Sequence, residues 1–249
     1  MKKKLLLALC RVIIAVLVVT GLSGCVFVSL SDFGTMTAKG AREIYEFKVG
    51  EYTGIKVEGY CDVRYYAAQS DTVALAVSPN VLEYYTIEVI NDELVVRTSK
   101  RINFSSKNSP VLTVSTPVLK RLSIEGAGTF TTQDKITAPS LAFILRGAGT
   151  ARAELDVDNL YSELSGAGEL ELSGRADTAD LNLSGTGDLD ALSLQTREAT
   201  VSLSGAGKIR VSCSDNLRIN ADGMGEVVYR GSPKININKG GMVSITQVK

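Results

Sequence analysis

A pair of glycines that returns about every nineteen residues constrains this chain more than any other feature. It stands in Ile124-Glu125-Gly126-Ala127-Gly128-Thr129-Phe130 and again in Leu145-Arg146-Gly147-Ala148-Gly149-Thr150-Ala151. Further copies surround Gly166 and Gly168, Gly185 and Gly187, Gly205 and Gly207, and Gly223 and Gly225. Steps between the first glycines are 21, 19, 19, 20 and 18 residues. Each copy alternates apolar and polar residues on both sides of its glycines, as in Leu160, Ser162, Leu164, Gly166, Gly168, Leu170 and Leu172. Period-two alternation predicts strands with one buried face. A fixed period of this length predicts a repeat architecture in which each copy buries its apolar face against the next.

About nineteen residues at roughly 3.3 Å each trace a path of about 60 Å, enough for one coil of a three-sided β-helix. The reading is therefore an all-β chain, a parallel β-helix or β-solenoid with Gly-x-Gly corners. At those corners glycine serves a sharp bend, a positive φ and the close approach of a neighbouring backbone. An antiparallel meander is the competing arrangement, but Gly-Ala-Gly suits a two-residue hairpin less well than Asn-Gly or Asp-Gly. A propeller blade needs about twice this length.

Both ends read as degenerate copies. Ile55, Val57, Gly59, Cys61, Val63 and Tyr65 keep the parity, with Cys61 in the second glycine's place. Ile235, Ile237, Lys239, Gly241, Val243 and Ile245 keep it too, with Lys239 read as the first glycine's counterpart. Between the early and middle copies, Val73–Val77, Thr86–Val89 and Leu94–Arg97 read as strands, the last two as a hairpin through Asn91-Asp92. Ser78-Pro79-Asn80 precedes a single helical turn, and Lys100–Ser109 is polar and loop-like. Seven early tyrosines, Tyr45 to Tyr85, read as cover for one end of the core.

The first residues carry an address. Lys2, Lys3 and Lys4 precede the apolar runs Leu5–Leu9 and Val12–Leu22, in the order of a secretory signal. Arg11 interrupts the run and leaves fewer apolar residues than the ~20 a membrane span needs. Leu22-Ser23-Gly24-Cys25 resembles the lipobox of bacterial lipoproteins: a large apolar residue, two small ones, then cysteine. That resemblance implies cleavage after residue 24 and lipidation of Cys25. At roughly 0.8 kcal/mol per buried CH₂, several acyl chains hold stably where one does not. Val26, in place of aspartate, points by the same analogy to the outer membrane. The expected organisation is a signal peptide (1–24), a lipidated N-terminus and tether (25–41), and one β-domain (42–249).

Composition removes much chemistry. The 249 residues contain no histidine, so Ser-His-Asp and Cys-His nucleophiles and histidine metal sites are excluded. Lys plus Arg and Asp plus Glu are 27 each, and no basic run with interleaved aromatics occurs, which argues against nucleic acid. After export Cys61 and Cys213 remain beside Cys25. About five coils at about 4.8 Å separate them, beyond the ~7 Å of disulfide Cα atoms, so two buried free thiols are expected. Gly-x-Gly here lacks the third glycine and following helix of a dinucleotide site. Ser184–Ala191 comes nearest to a calcium β-roll, but its aspartates do not recur with the nine-residue period. Asp156 with Asp158, and Asp188 with Asp190, place carboxylates on one strand face, where solvated faces are the ordinary explanation.

Leu-Ser before a repeated Gly-Ala-Gly, together with Phe47–Val63, Val73–Asn80 and Ile87–Val96, resembles the head GIN domain of bacterial exported proteins, described as auto-transporter adhesins. The resemblance runs from about Glu43 to Val248. It implies a right-handed β-helical fold, an exported or lipidated protein, and no catalytic residues. Two functions follow. The first is a non-enzymatic envelope lipoprotein, without cofactor or metal, whose solenoid binds a glycan, matrix or envelope-protein ligand. The second is a carbohydrate-active β-helix acting on acidic polysaccharide through Asp with Arg or Lys.

Overall fold

Alternating residues give most strands one apolar face, and those faces close on a single continuous core. The structure is a computed structural model that describes residues 35–249. The signal segment 1–24, the lipidation site Cys25 and the tether as far as residue 34 lie outside the described residues.

The described residues begin with β1 (Thr35–Thr37), β2 (Glu43–Lys48), β3 (Gly54–Tyr60), β4 (Asp62–Tyr66) and β5 (Thr72–Val77). A 3-10 turn over Pro79–Tyr84 follows, where Pro79 supplies a pre-set φ at its start. Next come β6 (Tyr85–Ile90) and β7 (Glu93–Thr98), an antiparallel hairpin. Its turn residues Asn91 and Asp92 have φ of 52° and 62°, the left-handed pair that a tight hairpin requires. β8 (Arg101–Asn103) and β9 (Val111–Ser115) complete this part. Two expectations are corrected here. Thr35–Thr37, read as tether, pairs in parallel with Arg101–Asn103, read as loop. Asn108 secures the junction by donating from Nδ2 to the carbonyl of the buried Ala38 at 2.9 Å.

The repeats form β10 (Arg121–Thr132), β11 (Ile136–Leu164), β12 (Glu169–Leu183), β13 (Asp188–Leu203), β14 (Ala206–Ala221), β15 (Met224–Arg230), β16 (Lys234–Lys239) and β17 (Met242–Val248). Every pairing among them is parallel, which is the solenoid and excludes the meander. Leucines stack in columns: Leu164 on Leu183 on Leu203, and Leu170 on Leu189 on Ile209, all buried. One such residue contributes roughly 1.5–3 kcal/mol, so a coil is stable only beside its neighbours.

The first coil, β3 and β4, packs under β10. Below it the sheet changes sense: β9 pairs antiparallel with β5, and β5 with β2. The tyrosines do cover this end. Tyr52 and Tyr65 are buried and donate to the carbonyls of Ser115 (3.0 Å) and Thr116 (2.8 Å). Burial pushes both phenols up to about 12. At the other end β16 and β17 each pair on one side only among the described strands, and Ile235 and Ile237 are partly exposed.

The glycines stack as expected, with two refinements. A Cβ on Gly166 would strike the carbonyl oxygen of Gly147, and one on Gly185 that of Gly166. That same Gly147 oxygen accepts the N–H of Ala167 at 2.9 Å, so the close approach is the corner's own hydrogen bond. Positive φ occurs at Gly126, Gly128, Gly147 and Gly225 but not in the middle copies, where crowding alone demands glycine. The last coil is also shifted from its expected register. Gly241 lies over Gly223, in the first glycine's place, and Lys239 pairs with Ala221. The final steps are 18 residues, so the copy that parity alone allowed was two residues out.

Candidate functional site

Three consecutive residues per coil build a groove along the side of the solenoid. One outward row runs Asn159, Thr178, Glu198, Asn216, Lys234, and a second runs Tyr161, Asp180, Thr200, Arg218, Asn236. Between them lies the row Leu160, Ala179, Ala199, Leu217, Ile235, whose first four side chains are buried in the core. Because neighbours on a strand point to opposite faces, the two outer rows stand as walls and the middle row's backbone is the floor. Two cavities meet here, sharing Leu160 and Asp180, and the second carries the groove on to Lys120 and Pro139. Five steps of about 4.8 Å from Leu141 to Ile235 give a length of about 24 Å.

Chemistry changes along the groove. Around Tyr161 the lining is mostly apolar, with Pro139, Leu141, Ala142 and Leu160. Tyr161 is 40% exposed, and its hydroxyl donates to Glu163 at 3.0 Å. Partial burial, then that carboxylate, raises its pKa. Asp180 and Glu198 occupy the centre, each holding an amide: Asn182 donates to Asp180 at 2.9 Å and Asn216 to Glu198 at 3.1 Å. Arg218 and Lys234 lie beyond them, and neither makes an ion pair among the described residues. An aromatic face, amides, hydroxyls and separated charges equip a surface to hold an extended polar ligand at several points.

The expected carboxylate pairs lie elsewhere. Asp190 accepts from Arg210 at 3.1 Å and from the Leu192 backbone at 3.0 Å, while Asp156 stands 4.0 Å from Arg175. Asp190 and Asp156 thus face neighbouring coils, and none of the four aspartates lines the groove. Cys61 and Cys213 are free, buried and in different coils. Burial, then the charge of Asp62, pushes the Cys61 thiol up to about 12, and burial raises Cys213. Lipidation at Cys25 falls outside the described residues. Sequence reasoning missed the groove because its walls are spread one residue per coil. The signal that could have found it is the stacking of outward positions once the period is known.

Residues 51–233 match the family model described as "Putative auto-transporter adhesin, head GIN domain". The chain belongs to the head GIN domain family. Crystal structures of the same architecture include a "putative adhesin" of Bacteroides fragilis, 20% identical, with a TM-score of 0.78 over 86% of this chain and all of that one. A "putative adhesin" of Parabacteroides distasonis is 19% identical, with a TM-score of 0.68 over 86% and 100% of the two chains. A protein of that organism titled "Putative lipid binding protein" is 22% identical, with a TM-score of 0.67 over the same shares. At these identities the likeness shows the fold alone. No curated protein matches the chain. The neighbours support the β-solenoid, and the head GIN domain match supports an adhesin-like class.

Proposed function

We propose that this head GIN domain protein is a non-enzymatic lipoprotein of the cell envelope, lipidated on Cys25, that binds an extended ligand along its lateral groove. The export signal and Leu22-Ser23-Gly24-Cys25 support the anchor, and Val26 after the cysteine supports the outer membrane. The family description supports an adhesin-like role. The groove carries the binding reading, because a coil-by-coil row of Tyr161, Asp180, Thr200, Arg218 and Asn236 offers repeated contacts to a repeating polymer. A glycan chain, with hydroxyls for the amides and a ring face for Tyr161, fits this chemistry best.

The test is a glycan and matrix-protein array probed with the full chain in detergent micelles, reading both binding and product release. Specific glycan binding without turnover, weakened at least about tenfold by Tyr161→Ala, is the expected result; one lost stacking contact of about 1.4 kcal/mol suffices. Binding that ignores Tyr161→Ala and Asn236→Ala would remove the groove from the reading. Turnover of an acidic polysaccharide would replace it with the carbohydrate-active alternative. For the anchor, Cys25→Ser is expected to abolish fatty-acid labelling and release the protein from membranes.

A further inference from the structure

A further cavity lies on a different part of the surface, where the repeat loses its regularity. Between Ala191 and Gln195, β13 carries Leu192–Leu194 with no partners on β14, and between Thr196 and Glu198 the surplus falls to β14 at Ser214 and Asp215. These are consecutive bulges on neighbouring coils, and bulges re-aim side chains beside functional sites. Here they open a cavity lined by Arg175, Arg197 and Arg230, with the hydroxyls of Ser212, Ser214 and Ser232.

The three arginines come from three coils, on β12, β13 and β15. Arg230 belongs to β15, whose register places it over Ser212, which in turn lies over Gln195. Its guanidinium reaches back two coils, and Nη1 donates to the carbonyl of Leu192 at 3.4 Å, on the coil that carries Arg197. Among the described residues Arg230 makes no ion pair. Arg175 pairs with Asp177 at 2.6 Å and stands 4.0 Å from Asp156, and Arg197 pairs with Asp215 at 3.3 Å. A guanidinium has five N–H donors, so a pair with one carboxylate leaves donors for another anion. Apart from Asp177, the lining offers no acceptor charge.

The geometry points to a tetrahedral oxyanion site in this bulged corner, taking a sulfate or phosphate group through Arg230 and Arg197 with the hydroxyls of Ser212 and Ser232, while Ser214 donates to Asp215 at 2.6 Å. Such a group arrives as a substituent of a larger ligand or as the free ion, and the chemistry that recognises it is the same. The site shares no residue with the lateral groove, so it stands or falls independently of the glycan reading.

The experiment is calorimetric titration of the full chain in micelles with inorganic phosphate and, separately, inorganic sulfate, against chloride at equal ionic strength. Saturable binding of either ion is expected, weakened at least tenfold in Arg230→Gln and in Arg197→Gln and unchanged in Arg218→Gln. Preference for one ion tells a phosphoryl from a sulfuryl ligand. Thermal melts check that each variant folds. Amide shifts in labelled protein are expected at Ser212, Ser214 and Gly231, and supply a readout that needs no substitution. No saturable binding, equal binding in Arg230→Gln, or shifts confined to other residues would overturn the site.

Discussion

Arg146 grips Glu163 on the adjacent coil with two parallel hydrogen bonds, Nε to Oε1 at 2.9 Å and Nη2 to Oε2 at 3.2 Å. The Arg146 bonds, followed by the Tyr161 hydroxyl, hold the Glu163 carboxyl below its ordinary value. A carboxyl lowered in the folded state stabilises fully above its unfolded value, and that stabilisation disappears as pH falls through the folded one. Glu163→Gln is therefore expected to cost about 0.5–1 kcal/mol at neutral pH. The gap to wild type should close on acidification, which chemical denaturation at pH 7 and pH 3 measures. A gap that widens in acid contradicts the assignment.

Glycine's two roles predict two sizes of effect. At Gly187 a Cβ meets the carbonyl of Gly168, so Gly187→Ala forces neighbouring coils apart at a cost on the order of 3 kcal/mol. At Gly50, with φ of 83° and nothing within 4 Å, alanine meets only backbone strain of about 1–2 kcal/mol. Urea midpoints of the two variants rank them. Equal losses would argue against the corner hydrogen bond as the reason for the repeat.

Ser162 occupies a core position, fully buried, and its Oγ has no hydrogen-bond partner among the described residues. An unpaired buried hydroxyl costs about 1–3 kcal/mol, so Ser162→Ala is expected to leave stability unchanged or raise it by about 1 kcal/mol. A clear loss in thermal unfolding would mean the hydroxyl has a partner.

The two thiols are expected to ignore alkylating reagents at neutral pH in the folded protein. Thiolate is the reactive form, and burial keeps Cys61 protonated up to about 12. Peptide mapping after labelling should find both Cys61 and Cys213 modified only once denaturant is present. Modification of Cys213 in native protein would show that the neighbouring bulges open.

Much of this architecture was legible because solenoid packing writes itself in parity. Leu164, Leu183 and Leu203 announce their column through position alone. The hairpin announced itself through Asn91 and Asp92, which tolerate the left-handed backbone. What escaped depends on register between distant segments. Three residues at Thr35–Thr37 have no period to display, and their partner Arg101–Asn103 sits in a polar run. Gly241 could match either glycine of a copy until pairing with Gly223 decided it. The groove and the arginine corner are assembled across coils, so Tyr161 and Arg218, or Arg197 and Arg230, look unrelated along the chain.

The row that places one outward side chain per coil gives the lateral groove a modular grammar. Its reach changes only in increments of about 4.8 Å, one for each coil gained or lost, while the residue on every remaining rung keeps its setting. Span and chemistry can thus diverge independently among such proteins: duplication of a coil sets how long a ligand is measured, and point substitution sets what is recognised at each notch.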